Sequence, residues 1–375
     1  MNIFLIILLV IALIGLLIRI LWVYELYIPK LLHKKEKDVV EAISDWLDLL
    51  TEEKKFNGAI LIVDRGEALL RKAVGFTSYL KKEKLHLHSR FRLASVSKQF
   101  TAFGIMVLIK KHDLSYDTRV TQIIPDFPYP KVTIRHLLNQ TSGIRADYIK
   151  LAKKKKKTAS YVLSLKDAVE LLCQYPDHII KNPLEEYYYN NTNYIVLARI
   201  IEIVSKHSFE KYMKHVIFQP LGLEETRVWN LLSEADEHFE KDKAKGFEAF
   251  LKSKPIEITP NWIDGVAGDG AVFSSISDME KWSTIWTKNN LLNSSEMKEA
   301  FIAPVLANGS PSNYGFGWVL AGDVSWHNGS WLASNSLILK NHKTNACVVV
   351  LDNSTNMRFD KITKSILKTL NQKMT

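Results

Sequence analysis

The chain has 375 residues, 47% apolar and 24% charged, which excludes a collagen-like rod, a disordered tail and a polytopic transporter. At roughly 150 residues per domain, that length fits one large unit or two smaller ones. Fifty basic against forty acidic side chains leave a net +10, which suits an anionic surface, but the lysines are scattered and no recognition motif accompanies them, so nucleic acid is not expected.

The opening stretch Ile3 to Ile18 is unbroken by any polar side chain and resumes after Arg19 as Ile20 to Tyr24, long enough to cross the roughly 30 Å core of a bilayer. Residues 1–24 therefore predict a transmembrane anchor. No Ala-x-Ala cleavage site follows, and Trp22 and Tyr24 suit an interfacial belt. Lys30, Lys34, Lys35 and Lys37 behind the span point to a cytoplasmic body by the positive-inside rule.

From Asp38 to Leu50 the spacing of Val40, Ile43, Trp46, Leu47 and Leu50 predicts an amphipathic helix. Gly58–Val63 and Ala68–Val74, joined by Asp64-Arg65-Gly66, predict a β-hairpin. A long apolar helix is expected after Ser95 and another across Tyr194 to Val204. Lys153 to Lys157 reads as a solvated loop. Gly315–Leu320, Ser334–Leu339 and Ala346–Leu351 read as strands, and Asp360–Leu370 as a closing helix. The expected fold is α/β of the α+β kind, an antiparallel sheet built from both chain ends (38–90 and 312–375) and flanked by helices, with a mostly helical insertion over 91–311. Residues 25–375 would form one unit behind the anchor. The two cysteines, Cys173 and Cys347, sit in apolar stretches and are too few for a disulfide framework or a zinc site, so no metal is expected.

A serine nucleophile needs a base within hydrogen-bond reach, and positions i and i+3 of a helix supply that. Five Ser-x-x-Lys matches occur, beginning at Ser78, Ser95, Ser208, Ser295 and Ser365. Only Ser95-Val-Ser-Lys98 follows an extended Phe91-Arg-Leu-Ala94 and opens a strongly apolar helix, which would carry Lys98 into a buried setting where desolvation makes a neutral amine available.

That segment resembles the Ser-x-x-Lys nucleophile motif of the serine β-lactamase and penicillin-binding protein superfamily. Tyr187-Tyr-Tyr-Asn-Asn-Thr-Asn-Tyr194 offers the family's Tyr-x-Asn element in two registers, Tyr188 with Asn190 or Tyr189 with Asn191, and the latter is preferred because of the apolar helix that follows. His327-Asn328-Gly329, just before an expected strand, is similar to the His-x-Gly form of the third motif. Thr133–Gly143, Pro220–Leu223 with Thr226, Gly268-Asp-Gly270 with Ser277-Asp278, and Tyr314-Gly-Phe-Gly-Trp318 resemble the branch of class C β-lactamases, D-alanyl-D-alanine carboxypeptidases and related esterases. His136 and Ser142 read as fold-holding, and Ser277 with Glu280 as a helix capping box.

The resemblance implies acyl transfer on Ser95, with Lys98 and Tyr189 moving protons, Asn191 orienting Lys98 and binding the substrate amide, and backbone N–H groups of Ser95 and Ser330 holding the oxyanion beside Gly329. His327 would face the leaving group. A histidine there is largely neutral near pH 7, unlike the lysine of many relatives, which shifts expectation from carboxylate-bearing antibiotics toward peptidase, amidase or esterase activity. No cofactor is implied. The partner would be a small-molecule or peptide substrate, with a cell-wall peptide among the candidates, and the body would lie on the envelope side despite the lysines after the span. A membrane-tethered sensor, acylated without efficient turnover, is the alternative. An α/β-hydrolase is disfavoured because the chain has no Gly-x-Ser-x-Gly elbow.

Overall fold

The computed structural model describes residues 3–32, 38–154, 160–176, 181–248 and 254–374. Lys155, Lys156 and Lys157 of the expected lysine loop lie outside the described residues. The chain opens with α1 (Ile3–Leu26) and α2 (Val39–Glu52), the latter capped by Asp38, whose carboxylate accepts from Val40 N at 2.7 Å. Strands β1 (Gly58–Asp64) and β2 (Glu67–Val74) form the expected hairpin. The short β3 (Phe91–Arg92) leads through a tight turn into α3 (Ser97–Lys111), followed by α4 (Tyr148–Lys153) and α5 (Asn191–Ser205). Then come β4 (Arg227–Val228), β5 (Val272–Ser274) and α6 (Ile276–Ile285), and finally β6 (Val319–Ala321), β7 (Val324–Trp331), β8 (Ser334–Asn341), β9 (Ala346–Asp352) and α7 (Phe359–Met374).

The main sheet has the order β6-β7-β8-β9-β1-β2 and is antiparallel throughout, so the two chain ends meet at its centre, where Gly58 pairs with Asp352 and Val63 with Cys347. Every residue of β9 is buried, which requires cover on both faces. On one face Ile60, Ile62, Val348 and Val350 pack against Ile43, Trp46 and Leu47 of α2 and Ile362 and Ile366 of α7. On the other, Leu61, Val63, Val349 and Leu351 join the larger core, which contains Phe100 and Phe103 of α3 and Ile195 and Leu197 of α5. The alternation of β1 thus splits one strand between two cores. A second, three-stranded sheet orders β3-β5-β4 and anchors the segment that enters the nucleophile turn.

One expectation is not shown and two need correction. Among the described residues no helix is long and apolar enough to cross a membrane, so the structure does not show the anchor expected over residues 1–24; some side chains of α1 lie outside the described residues. The strand expected over Gly315–Leu320 begins only at Val319, because Gly317 turns with φ +78° and its Cα sits so close to Gln99 N that a Cβ there would come within 2.7 Å. The cap of α6 is Ser275, accepting from Asp278 N at 3.1 Å, not Ser277 with Glu280; Glu280 instead pairs with Arg71. His136 and Ser142 hold the fold as expected, His136 through Thr133 and Ser142 by donating to Asn193 Oδ1 at 2.7 Å.

Candidate active site

Ser95 sits on a single 3₁₀ turn, Ala94–Val96, running straight into α3, and is half-buried where its neighbours are buried. Ala94, just before it, is held at φ +46°, a left-handed conformation that a non-glycine residue adopts only when its surroundings impose it. Those surroundings are visible. Leu93 N donates to Val272 O at 2.9 Å, and Ser336 Oγ of β8 donates to Leu93 O at 2.6 Å.

Lys98 is fully buried, and its Nζ donates to Ser95 Oγ at 3.2 Å and to the backbone carbonyl of Asp269 at 2.9 Å. The Gly268–Gly270 strip supplying that carbonyl is tied to α3 on both sides, by Thr101 Oγ1 donating to Gly268 O at 2.6 Å and by Val272 N donating to Ser97 Oγ at 3.0 Å. Gly268, at φ +110°, lets the strip pass α5, since a Cβ there would lie 2.6 Å from Tyr194 O. The aromatic wall is Tyr189, whose ring centroid lies 5.0 Å from Lys98 Nζ, and Tyr194, at 5.7 Å.

The structure separates the two registers of the tyrosine motif. Tyr188 is exposed and stacks on Arg145, while Tyr189 faces Lys98 with its hydroxyl buried and without a partner among the described residues. Asn190 caps α5 and donates to the carbonyls of Ile144 and Ala146; Asn191 Oδ1 is buried and has no partner among the described residues. Tyr189 and Asn191 are thus the pair with polar atoms left over.

His327, Gly329 and Ser330 lie within β7, not before a strand as the sequence suggests. β6 covers only Val324 to Trp326, so no strand flanks the outer edge from His327 to Trp331, which passes against the nucleophile turn. His327 is buried and points inward. Tyr314 Oη lies 2.9 Å from its Nε2, and its Nδ1 lies 2.6 Å from Asn328 O. Burial, and secondarily the charge of Lys98, push its pKa down to about 3, so the imidazole is neutral with both nitrogens engaged. Tyr314 is held far above the ordinary tyrosine range by burial, so it keeps its proton.

Beneath Lys98 lies a charged layer that sequence reasoning left among supporting segments. Burial raises the pKa of the Asp269 carboxyl, opposed by Lys98 and Arg92, and Tyr148 donates to its Oδ2 at 3.1 Å. Arg92 is buried beside Asp264 and Phe273. The signal was there, in Phe91-Arg-Leu-Ala94 and Gly268-Asp-Gly270, but nothing in spacing says that two such distant segments meet. A cavity of about 1040 Å³, lined by Arg90, Glu202, Lys211, Arg227 and His238 among others, contains none of the candidate catalytic residues.

The β-lactamase family model matches residues 43–370, all of the layers just described. The chain belongs to the β-lactamase family. Within that family, penicillin-binding protein 4* of Bacillus subtilis (strain 168) is 34% identical over 308 residues, 78% of this chain and 67% of that protein. The chain spans 59 to 67% of the length of the curated relatives it matches. Two solved structures share the fold. FmtA from Staphylococcus aureus superposes with a TM-score of 0.71 at 22% identity, covering 94% of this chain and 95% of that one. A D-amino acid amidase from Ochrobactrum anthropi SV3 superposes with 0.73 at 20% identity, covering 90% and 100%.

Proposed function

We propose that the protein is a serine hydrolase that cleaves an amide or ester through an acyl-enzyme on Ser95. The observation that carries the reading is the 3.2 Å approach of the buried Lys98 Nζ to Ser95 Oγ on a strained turn open to solvent. As Oγ bonds to the substrate carbonyl carbon, its proton passes to the Lys98–Tyr189 pair. The resulting oxyanion is held by the N–H groups of Ser95 and Ser330. The pair returns a proton to the departing amine or alcohol as the C–N or C–O bond breaks. Water, deprotonated by the same pair, then releases the acid and restores Ser95.

Asn191 is assigned to orient Lys98 and bind the substrate amide. The neutral His327 supplies no cation for a carboxylate on the leaving-group side, which favours peptidase, amidase or esterase chemistry over hydrolysis of carboxylate-bearing β-lactams. The D-amino acid amidase named above, similar in fold, accords with that choice.

Membrane attachment through α1, with the body on the envelope side, belongs to the same proposal. Its support is the exposure of Ile11, Leu13, Leu16, Leu17 and Val23 along one 24-residue helix. Protease accessibility in intact against lysed cells tests the placement. For the chemistry, detergent-solubilised full-length protein is treated with a penicillin probe and an activated ester, and a mass adduct is sought on Ser95. An adduct absent from Ser95→Ala is expected; folded protein that takes no adduct from either reagent overturns the reading, and an adduct that never turns over favours the sensor.

A further inference from the structure

Two cavities flank the guanidinium of Arg92, three residues ahead of Ser95. The smaller, about 30 Å³, lies among Tyr148, Asn191, Asp264, Asp269 and Trp331 and has room for one water-sized group. The larger, about 340 Å³, is walled by Trp229, Leu231, Pro260, Phe273 and Leu332, within the size range of sites for small organic groups. Leu332 stands two residues beyond Ser330, at the end of the β7 edge that no strand covers. Arg92 and Leu332 thus tie the larger cavity to the two segments that carry Ser95 and Ser330.

Leu332 and Ala333 are the two central residues of the hairpin that joins β7 to β8, a turn that needs left-handed backbone at both, here φ +46° and +54°. The Leu332 carbonyl crowds Gly246 so closely that a Cβ there would lie 2.2 Å away, which fixes this wall of the cavity.

Arg92 supplies the polar element. Its side chain is 7% exposed, and among the described residues its guanidinium makes no hydrogen bond. Asp264 Oδ1 is 3.8 Å away, beyond hydrogen-bonding reach, and accepts instead from Trp331 Nε1 at 2.7 Å. The charge of Arg92 is therefore compensated by Asp264 and Asp269, while its N–H donors are not. At the rim, Lys243 and Lys245 are likewise paired, with Glu240 and Glu257. An incoming carboxylate would meet these acids with no net positive charge to offset them; a neutral oxygen would meet only free donors.

We propose that the larger cavity is the acyl-side subsite of the Ser95 site and that Arg92 is its specificity-determining residue, selecting an apolar chain that carries a neutral oxygen acceptor, such as a ketone or amide carbonyl, over one that carries a carboxylate. The inference rests on the acyl-enzyme reading above.

Three p-nitrophenyl esters of matched length test it: hexanoate, 5-oxohexanoate and the glutarate half-ester, each normalised to p-nitrophenyl acetate, which is too short to reach the cavity. Full-length wild-type protein should turn over the 5-oxohexanoate about tenfold faster in kcat/KM than the hexanoate, with the half-ester slowest. Arg92→Lys should erase the gap between the first two. Leu231→Trp, at a partly exposed rim position, should raise KM for both six-carbon chains. Equal handling of the three esters, a preference for the half-ester, or an Arg92→Lys protein with the gap intact overturns the inference. Absence of any acyl adduct on Ser95 overturns the acyl-enzyme reading itself, and is told apart because acetate then fails too.

Discussion

A Cβ placed on Gly329 would lie 2.7 Å from the backbone nitrogen of Ser95 and 2.5 Å from Leu93 O. Both neighbours are backbone and cannot swing aside, so strand β7 can pass the nucleophile turn only as glycine. Gly329→Ala should push the strand off the turn, costing about 1–3 kcal/mol in stability. Separating the two proposed oxyanion donors should lower kcat by about 100-fold or more. Thermal unfolding and ester hydrolysis measured on the same preparation check both; a fully active variant would show that the close approach is not needed.

Lys98 should trade stability for activity. It is a fully buried amine whose hydrogen bonds go to Ser95 and Asp269 O. Lys98→Met keeps the volume and removes a buried polar head, so the expected Tm equals or exceeds that of the wild type. Acylation of Ser95 should fall by at least about 1000-fold. A variant that unfolds without gaining an adduct would place Lys98 in the structure alone.

His327 makes stability depend on acid in a defined direction. The unfolded chain's imidazole takes up a proton near 6.5, the folded one near 3, so between these values the unfolded state binds more protons and stability falls as pH falls. The slope approaches about 1.4 kcal/mol per pH unit for this one group, and the effect is absent above pH 6.5. Asp352, its carboxyl pushed up to about 6 by burial, acts oppositely over part of the window, so the useful quantity is the difference between wild type and His327→Gln. On going from pH 7 to pH 5, the denaturant midpoint of the wild type should move down relative to that of the variant.

The corrected cap of α6 gives a small, clean test. Ser275→Ala removes the acceptor for Asp278 N and should cost about 1 kcal/mol, whereas Ser277→Ala, whose hydroxyl reaches Leu87 O at 3.3 Å, should cost less. Chemical denaturation of the two variants decides between the capping assignments.

The site was legible in the sequence where chemistry is local. Ser95 and Lys98 are one turn apart, and the apolar helix behind them predicted the burial of Lys98. Tyr189 and Asn191 needed the structure, because Tyr188 and Asn190 fit the same pattern and only packing shows that Asn190 is spent on the carbonyls of Ile144 and Ala146. His327 stood out as a candidate, but its neutrality comes from burial and from the charge of Lys98, surroundings that no spacing rule encodes. Likewise Arg92 and Asp269 are 177 positions apart in number and become neighbours only because β3 pairs with β5. The sheet was anticipated from alternation at both ends, whereas Gly315–Trp318 looked like a strand because aromatic and glycine residues alternate there for a reason specific to the turn against Gln99.

The pairing of β1 with β9 has a consequence for how the molecule comes into being. Ser95 and Lys98 lie far upstream of β7, the strand proposed to complete the oxyanion hole, and of β9, which closes the sheet. Contacts of such long sequence separation form slowly. A folding chain therefore sets its serine and lysine one helical turn apart well before the edge of β7 reaches them.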